Sequence, residues 1–193
     1  MAEPILPDPV LLIVAVFSRH AEAFAWVRPR LEQFFGPVAF ESQAYEFHQT
    51  AYYEATMGSG LQKKFLVFQG LFPADCLAQT KLRTNEIEAE LAGAKRYPEV
   101  RPINLDPGIL SLGKFMLATM KDQAHRIYLR NGVYAEVTLR FQAGGFETWP
   151  WTYADYRLPL VRAFLKEARA FYRERLQQTK RGDAKGAAAE EVG

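Results

Sequence analysis

The amino-acid sequence predicts an α+β protein with a ferredoxin-like βαββαβ core that is extended by a β-hairpin and a final helix. The first observation is the order of periodicities over residues 1–105, where apolar runs typical of strands alternate with helical spacing as β-α-β-β-α-β. The second is an Asn-Gly pair between two alternating segments, followed by an amphipathic helix. The 193 residues are enough for one domain, placed at 1–178, with a disordered tail rich in Ala, Gly and charge at 179–193.

The first half of the chain supplies four strands and two helices. Residues 10–17 form a continuous apolar run rich in Val and Ile, which is typical of a buried central strand. Ser18 is placed to cap the helix that follows, and Gly36-Pro37 ends that helix. Asp106-Pro107-Gly108 has the composition of a type II turn, which would end the fourth strand. The other predicted elements are strands over 38–47, 64–71 and 101–105, a loop over 48–61 and a helix over 75–92.

The second half supplies strands over 114–119, 124–129 and 133–141 and a helix over 159–177. A three-residue loop, Arg130-Asn131-Gly132, places Tyr128 opposite Tyr134. This register separates polar from apolar side chains better than the register of a two-residue Asn131-Gly132 loop does. We therefore predict the three-residue register. In it, one face carries Arg126, Tyr128, Tyr134, Glu136, Thr138 and Arg140, and the core face carries His125, Ile127, Leu129, Val133, Ala135, Val137 and Leu139.

Composition excludes several classes of protein. The formal net charge of +2 is too small to indicate a nucleic-acid partner. Cys76 is the only cysteine, which excludes an intrachain disulfide and a thiolate metal cluster within one chain. The apolar run at 10–17 is too short to span a bilayer, and no basic segment of signal-peptide type precedes it. We expect a cytoplasmic protein without membrane association.

Several groups of residues together carry a resemblance to a known family. Among them are Lys81-Leu82-Arg83-Thr84-Asn85-Glu86, Asn104-Leu105-Asp106-Pro107-Gly108, His125-Arg126-Ile127-Tyr128-Leu129 and Trp151-Thr152-Tyr153-Ala154-Asp155-Tyr156-Arg157. They resemble the uncharacterised bacterial family catalogued as domain of unknown function 4416, over roughly residues 8–178. Some members are labelled GTP-binding proteins. The chain lacks the Gly-x-x-x-x-Gly-Lys-Ser/Thr loop that cradles phosphates, which counts against a P-loop GTPase and leaves nucleotide binding of another kind open.

The densest polar region lies between residues 104 and 140, and it supplies the candidate site. Carboxylates and histidine can move protons, while arginine and lysine bind phosphate or carboxylate groups. The hypothesis is a phosphorylated or nucleotide-like small molecule bound on a polar sheet face, and whether the protein is an enzyme stays open. The candidate catalytic residues are Asp106, His125 and Glu136, and the candidate ligand-binding residues are Asn104, Lys114, Lys121, Asp122, Arg126, Tyr134 and Arg140.

Each candidate also has a structural interpretation. Arg126 and Glu136 suit a cross-strand ion pair, and His125 suits a hydrogen-bonded core position. Mg²⁺ could bind Asp106, Asp122 and Glu136, whereas no spacing of a zinc site is present. The side of the 75–92 helix that bears Lys81, Asn85 and Glu88 is by default solvated.

An alternative to small-molecule binding is an RNA-binding or protein-partner module without catalysis. The aromatic stretch at 146–156 and the basic final helix would suit stacking on single strands. The low net charge and the lack of an RNP1-type motif count against nucleic acid without excluding it.

Overall fold

The structure is a computed structural model that describes the backbone of residues 3–190 and the side chains of residues 3–50 and 52–181. It is a mixed α+β protein with an antiparallel sheet of nine strands and four α-helices. In chain order the elements are β1 (Val10–Ser18), α1 (Ala21–Phe35), β2 (Val38–Glu41), β3 (Tyr45–Glu46), a 3₁₀ helix (Ala51–Tyr53), α2 (Glu54–Met57), β4 (Gln62–Phe72), α3 (Leu77–Gly93), β5 (Asn104–Leu110), β6 (Lys114–Thr119), β7 (Ile127–Arg130), β8 (Val133–Gln142), β9 (Gly145–Thr148), a second 3₁₀ helix (Ala154–Arg157) and α4 (Pro159–Glu190).

The sheet lies between two layers of helix. Its strand order is β2-β4-β1-β5-β6-β8-β7, with β3 paired to β4 and β9 paired to β8. Helices α1 and α3 pack on one face, and α4 packs on the other. The central strand β1 is buried on both faces, so its residues alternate between the two cores without a polar interruption. This position explains the continuous apolar run, because a half-exposed strand would alternate with polar residues.

Helix α1 begins later than the sequence predicts. Its first residue is Ala21, and the residue at its N-cap, His20, makes no side-chain capping bond. Ser18 is instead the buried last residue of β1, where its hydroxyl donates to the carbonyl oxygen of Pro102 at 2.6 Å. The Ser18 hydroxyl oxygen also accepts from the His20 backbone N–H at 3.0 Å. The predicted Ser18 cap is therefore wrong by two residues, because the strand continues through the serine.

The predicted turn at Asp106-Pro107-Gly108 is also wrong, because all three residues lie within β5. Strand β5 pairs with β1 along its whole length, but β6 pairs with it only at residues 108–110 of the described sheet. Pro107 thus lies where one edge of β5 is unpaired, which is where a strand tolerates a residue without an N–H. Gly108 permits the close packing of the next strand, since a Cβ there would lie 2.5 Å from the Phe115 ring. Residues 104–107 of β5 have no partner in β6 within the described sheet, so the two strands are separated there.

The predicted hairpin register is confirmed in the strands and wrong at the turn. Tyr128 lies opposite Tyr134, as predicted. The register then shifts, so that Arg130, and not the predicted Leu129, pairs with Val133. The Asn-Gly pair is left as a two-residue loop, and its φ angles of 52° and 75° are those of the type I′ hairpin turn. A bulge therefore reconciles a two-residue loop with the register expected from a three-residue loop.

The predicted core face of this hairpin is not continuous. Ile127 and Leu129 are exposed on the edge strand β7. Val133 and Ala135 are buried on the α1–α3 side, whereas Leu139 is buried on the α4 side. The pairing of β6 with β8 contains an irregularity between these positions, which reverses the side to which later residues point.

Three further boundaries differ from expectation. The single strand expected over 38–47 is divided into β2 and β3, and the expected loop over 48–61 contains a 3₁₀ turn and the short helix α2. Helix α4 continues to Glu190 instead of ending near residue 177, so it includes most of the expected tail. Residues 191–193 of that tail lie outside the described residues. No helix in the described part of the chain is both long and apolar enough for a membrane span.

Candidate functional site

A cavity of about 630 Å³ lies where β5 and β6 separate, beside the 3₁₀ helix that precedes α4. Its wall combines five cationic side chains, three carboxylates, four phenols and several amides and hydroxyls. The lining residues are Phe17, Phe47, Gln49, Thr50, Tyr52, Tyr53, Lys63, Lys81, Asn85, Glu88, Arg101, Asn104, Asp106, Leu117, Ala118, Thr119, Met120, Lys121, Gln123, Arg126, Tyr153, Ala154, Asp155 and Tyr156.

The floor of the cavity is a row of side chains across the central strands. Phe17 of β1 lies opposite Lys63 of β4 on one side and opposite Asn104 of β5 on the other. Asp106 follows two residues after Asn104 and shares its face of the sheet, because side chains alternate along a strand. The second 3₁₀ helix supplies Asp155 at the same place. The sheet therefore positions cationic, amide and carboxylate groups within one concave surface.

A buried ion pair joins Lys63 and Asp155. Their Nζ and Oδ2 atoms are 2.6 Å apart, and both side chains are at most 5% exposed. The ammonium group also lies 4.6 Å from the centre of the Tyr156 ring. Tyr45 donates to the same carboxylate oxygen at 3.4 Å. Burial, together with the nearby Asp155 charge, raises the pKa of the Tyr45 phenol, which therefore stays a neutral donor.

A second pair links α3 to β5. The Lys81 ammonium group donates to the Leu105 carbonyl oxygen at 2.8 Å and lies 3.3 Å from the Asp106 carboxylate. Asp106 is half-buried, and its side chain lines the cavity. Burial alone would raise the pKa of Asp106, but the charges of Lys81 and Lys63 outweigh burial and hold that pKa below its ordinary value. Asp106 is therefore a carboxylate at neutral pH.

Glu88 closes the gap between β5 and β6 from the side of α3. One of its oxygens accepts from the Leu105 backbone N–H at 2.7 Å, which satisfies a donor that β6 does not reach. The other oxygen accepts two bonds from the Arg101 guanidinium, at 3.0 and 2.7 Å. Burial raises the pKa of Glu88, and the charges of Lys81 and Arg101 oppose that rise. Glu88 thus holds both the backbone and a cationic side chain of the cavity wall.

Arg126 forms the wall nearest the hairpin. Its Nε atom donates to Glu136 at 2.9 Å, and its terminal nitrogens donate to the Lys121 carbonyl oxygen at 3.0 Å and to the Tyr153 hydroxyl at 2.8 Å. Glu136 is fully buried behind it and also lies 3.2 Å from His125 Nε2. The cross-strand pair that the sequence allowed is thus present, and its arginine also faces the cavity.

Lys121 and Tyr52 meet at the outer end of the cavity. The Lys121 ammonium group donates to the Tyr52 hydroxyl at 2.5 Å and lies 3.8 Å from the centre of its ring. This hydrogen bond, with the positive charge of Lys121, lowers the pKa of the Tyr52 phenol. Both residues are exposed, so this end of the cavity is its mouth.

Two buried polar atoms of the cavity wall lack a partner among the described residues. They are the Nδ2 amide nitrogen of Asn104 and the hydroxyl oxygen of Tyr156, and each residue is 1% exposed. A buried polar group without a hydrogen bond is costly, by about 1–3 kcal/mol. The Asn104 side chain still hydrogen-bonds Asp106 closely enough to help lower the pKa of that carboxyl group. The Tyr156 hydroxyl is therefore the clearer case of hydrogen-bonding capacity that the described residues leave unused.

Of the ten candidate residues, the cavity brings together Asn104, Asp106, Lys121 and Arg126. Two more, Glu136 and His125, stand behind Arg126, and His125 stacks on the Trp151 ring at 5.2 Å instead of lying in the core. The predicted core position of His125 is therefore wrong, because the strand that would have carried it begins two residues later.

The other four candidates do not line the cavity. Arg140 is exposed and pairs with Glu147 across β8 and β9. Lys114 lies opposite Arg140 at the far end of β6, away from the separation of β5 and β6. Tyr134 packs edge-on against Tyr128, and Asp122 is exposed in the loop before β7.

Sequence reasoning missed five charged residues of the cavity. They are Lys63, Lys81, Glu88, Arg101 and Asp155. For Lys81 and Glu88 a signal existed, since they lie seven residues apart on one side of α3, but a solvated face was the default interpretation. That default is wrong for both side chains, which are buried. No local pattern distinguishes Lys63 or Asp155, because their pairing joins residues 92 positions apart.

The described residues contain no group of three or more His, Cys, Asp or Glu side chains that could hold a metal ion. The Mg²⁺ set of Asp106, Asp122 and Glu136 is therefore not assembled. Glu136 is bound to Arg126, and Asp122 is exposed in a loop.

The fold and cavity define an α+β protein whose sheet opens into a cavity with five cationic side chains, three carboxylates and an aromatic wall. Residues 8–172 match the family described as domain of unknown function (DUF4416), and the chain belongs to that family. No curated protein and no solved structure matches the chain.

Proposed function

We propose that the cavity binds a small anionic molecule, phosphorylated or nucleotide-like. The observation that carries this proposal is the unpartnered, buried Tyr156 hydroxyl, together with the Asn104 amide, inside a wall with five cations and three carboxylates. Unpaired donors favour an oxygen-bearing ligand, and the excess of cations favours one with negative charge.

Size and apolar surface support the same proposal. A volume of about 630 Å³ is within the range of roughly 300–1,000 Å³ that is usual for small-molecule sites. Phe17, Phe47 and Tyr53 pack together with ring centres 4.9–5.9 Å apart and form one wall. Burial raises the pKa of Tyr53, so this wall stays uncharged. Such a surface suits the planar ring of a nucleotide-like ligand.

We further infer that β1 to β5 with α1 and α3 form a ferredoxin-like unit. The order β2-β4-β1-β5, all antiparallel, supports this inference, as do two helices on one face. In this interpretation β6 to β9 widen the sheet, and the cavity marks the join between the ferredoxin-like unit and its extension.

Thermal denaturation with a ligand panel tests the binding proposal. The panel is inorganic phosphate, sugar phosphates, nucleotides of each base and the corresponding nucleosides, with and without Mg²⁺. At a concentration of 100 Kd, a ligand should stabilise the fold by about 2.7 kcal/mol, which corresponds to a Tm increase of roughly 5–10 °C.

A matched pair of variants locates the binding. Ala154→Trp adds a large ring at an exposed position of the cavity wall and should abolish the ligand-induced increase in Tm. Ala25→Trp adds the same ring at an exposed position of α1 and should leave it intact. If no panel member raises the Tm of the unmodified protein, or if Ala154→Trp leaves the increase unchanged, the proposal is wrong.

A further inference from the structure

We infer that the ligand binds in one orientation, with its neutral, hydroxyl- or N–H-bearing end at the floor and its phosphate at the mouth beside Lys121. This inference rests on the proposed function and names the ligand class: a phosphate monoester of a hydroxylated or heterocyclic ring compound, such as a nucleoside or sugar phosphate.

The floor of the cavity is electrostatically balanced. Lys63 is paired with Asp155, and Lys81 is paired with Asp106. A phosphate dianion placed here would meet two carboxylates as well as two ammonium groups. It would also compete for lysines that already interact with these carboxylates. In the Lys63–Asp155 pair, Nζ and Oδ2 are only 2.6 Å apart. A dianion therefore gains little binding free energy at the floor, because the two carboxylates repel it. A neutral polar group does not meet this repulsion.

The floor carries the complementary groups for a neutral polar end. Asn104 Nδ2 can donate, and the Tyr156 hydroxyl can donate or accept. Asp106 and Asp155 accept hydrogen bonds. Ring hydroxyls, carbonyl oxygens and ring N–H groups offer donors and acceptors together, as this set requires, whereas a phosphate dianion offers acceptors alone.

The mouth carries the charge that the floor lacks. Arg126 is paired with the buried carboxylate of Glu136, and Arg101 is paired with Glu88. The hydrogen-bond partner of Lys121 within the described side chains is a phenol, that of Tyr52. Lys121 thus keeps its positive charge available to a phosphate, and its exposure allows that phosphate to remain partly hydrated.

Two variants separate the ends of the ligand. Lys121→Met should weaken binding of each phosphate ester about fivefold or more, because it removes a charge-assisted contact, and should leave binding of the parent compound without phosphate unchanged. Tyr156→Phe removes a hydroxyl without a partner in the described protein, so the fold should be retained. It should weaken ester and parent by the same factor, about two- to tenfold.

Isothermal titration of ester and parent pairs measures these factors, with Arg140→Ala as a charge-removing control outside the cavity. If no ester binds the unmodified protein, the proposed function itself fails. If esters bind but Lys121→Met leaves their affinity intact, or weakens ester and parent equally, the orientation is wrong while the binding site stands. An unchanged affinity in Tyr156→Phe would likewise overturn the assignment of the floor.

Discussion

Replacing Lys63 by methionine tests whether the floor of the cavity is a structural as well as a binding feature. The substitution keeps an unbranched side chain of similar length and removes the ammonium group that lies 2.6 Å from Asp155. It leaves the carboxylate buried, with the weak hydrogen bond from Tyr45 at 3.4 Å. Asp155 must then either remain charged without a cation or bind a proton.

The expected cost follows from that geometry. At 2.6 Å and an effective dielectric constant of 20, the attraction between the two charges is about 6 kcal/mol before desolvation is subtracted. Removing one partner of a buried pair costs about 3–5 kcal/mol. We expect a value near 3 kcal/mol, because Tyr45 still donates and because the cavity beside Asp155 admits solvent. For a chain of this length, the corresponding fall in Tm is roughly 6–12 °C.

Urea denaturation followed by circular dichroism measures the free energy of unfolding for Lys63→Met, Asp155→Leu and the double variant. The double variant should recover most of the loss, because replacing a buried pair by apolar groups is often neutral. Arg140→Ala breaks an exposed pair and should cost no more than about 1 kcal/mol. A cost for Lys63→Met as small as that of the control, or fully additive single effects, would refute the reasoning.

Four substitutions probe the packing and charges of the site. Gly108→Ala places a methyl group 2.5 Å from an aromatic ring of β6 and should destabilise the fold by about 1–3 kcal/mol, measured by urea denaturation. The folded-state pKa of Asp106 lies below its ordinary value of 3.8 beside Lys81, so its stabilising effect is present above about pH 4 and is lost as pH falls through the folded pKa. Asp106→Asn should therefore flatten the fall of unfolding free energy below about pH 4, and an unchanged slope would contradict this. Since Lys121 lowers the pKa of Tyr52, Lys121→Met should move the earliest tyrosinate absorbance change to higher pH, and Tyr52→Phe should remove it.

The elements of regular structure were predictable where periodicity was local. The central strand, the two helices of the first half and the strand at 114–119 lie close to their predicted positions, because each depends on its own pattern of apolar residues. The errors arise where pairing with a neighbouring strand determines the local structure. Asp106-Pro107-Gly108 has turn composition, yet pairing with β1 on one edge keeps it extended. Ser18 has capping chemistry, yet pairing with β4 keeps it in the strand.

The candidate site was predictable only in part, for the same reason. Asn104 and Asp106 stand next to each other on one strand face, and Arg126 with Glu136 follows from the hairpin, so local spacing reveals them. Lys63 and Asp155 meet only because the sheet order places β4 beneath the second 3₁₀ helix. Their pairing depends on the topology, and the sequence around neither residue indicates it.

The central position of β1 also bears on the order of events during synthesis. This strand leaves the ribosome well before its two neighbours, 62–72 and 104–110. Until then nine consecutive residues, eight of them apolar, have no strand on either edge and no helix α4 on one face. Such a segment is a hazard for self-association in the nascent chain, and its distant pairings slow folding of the completed chain.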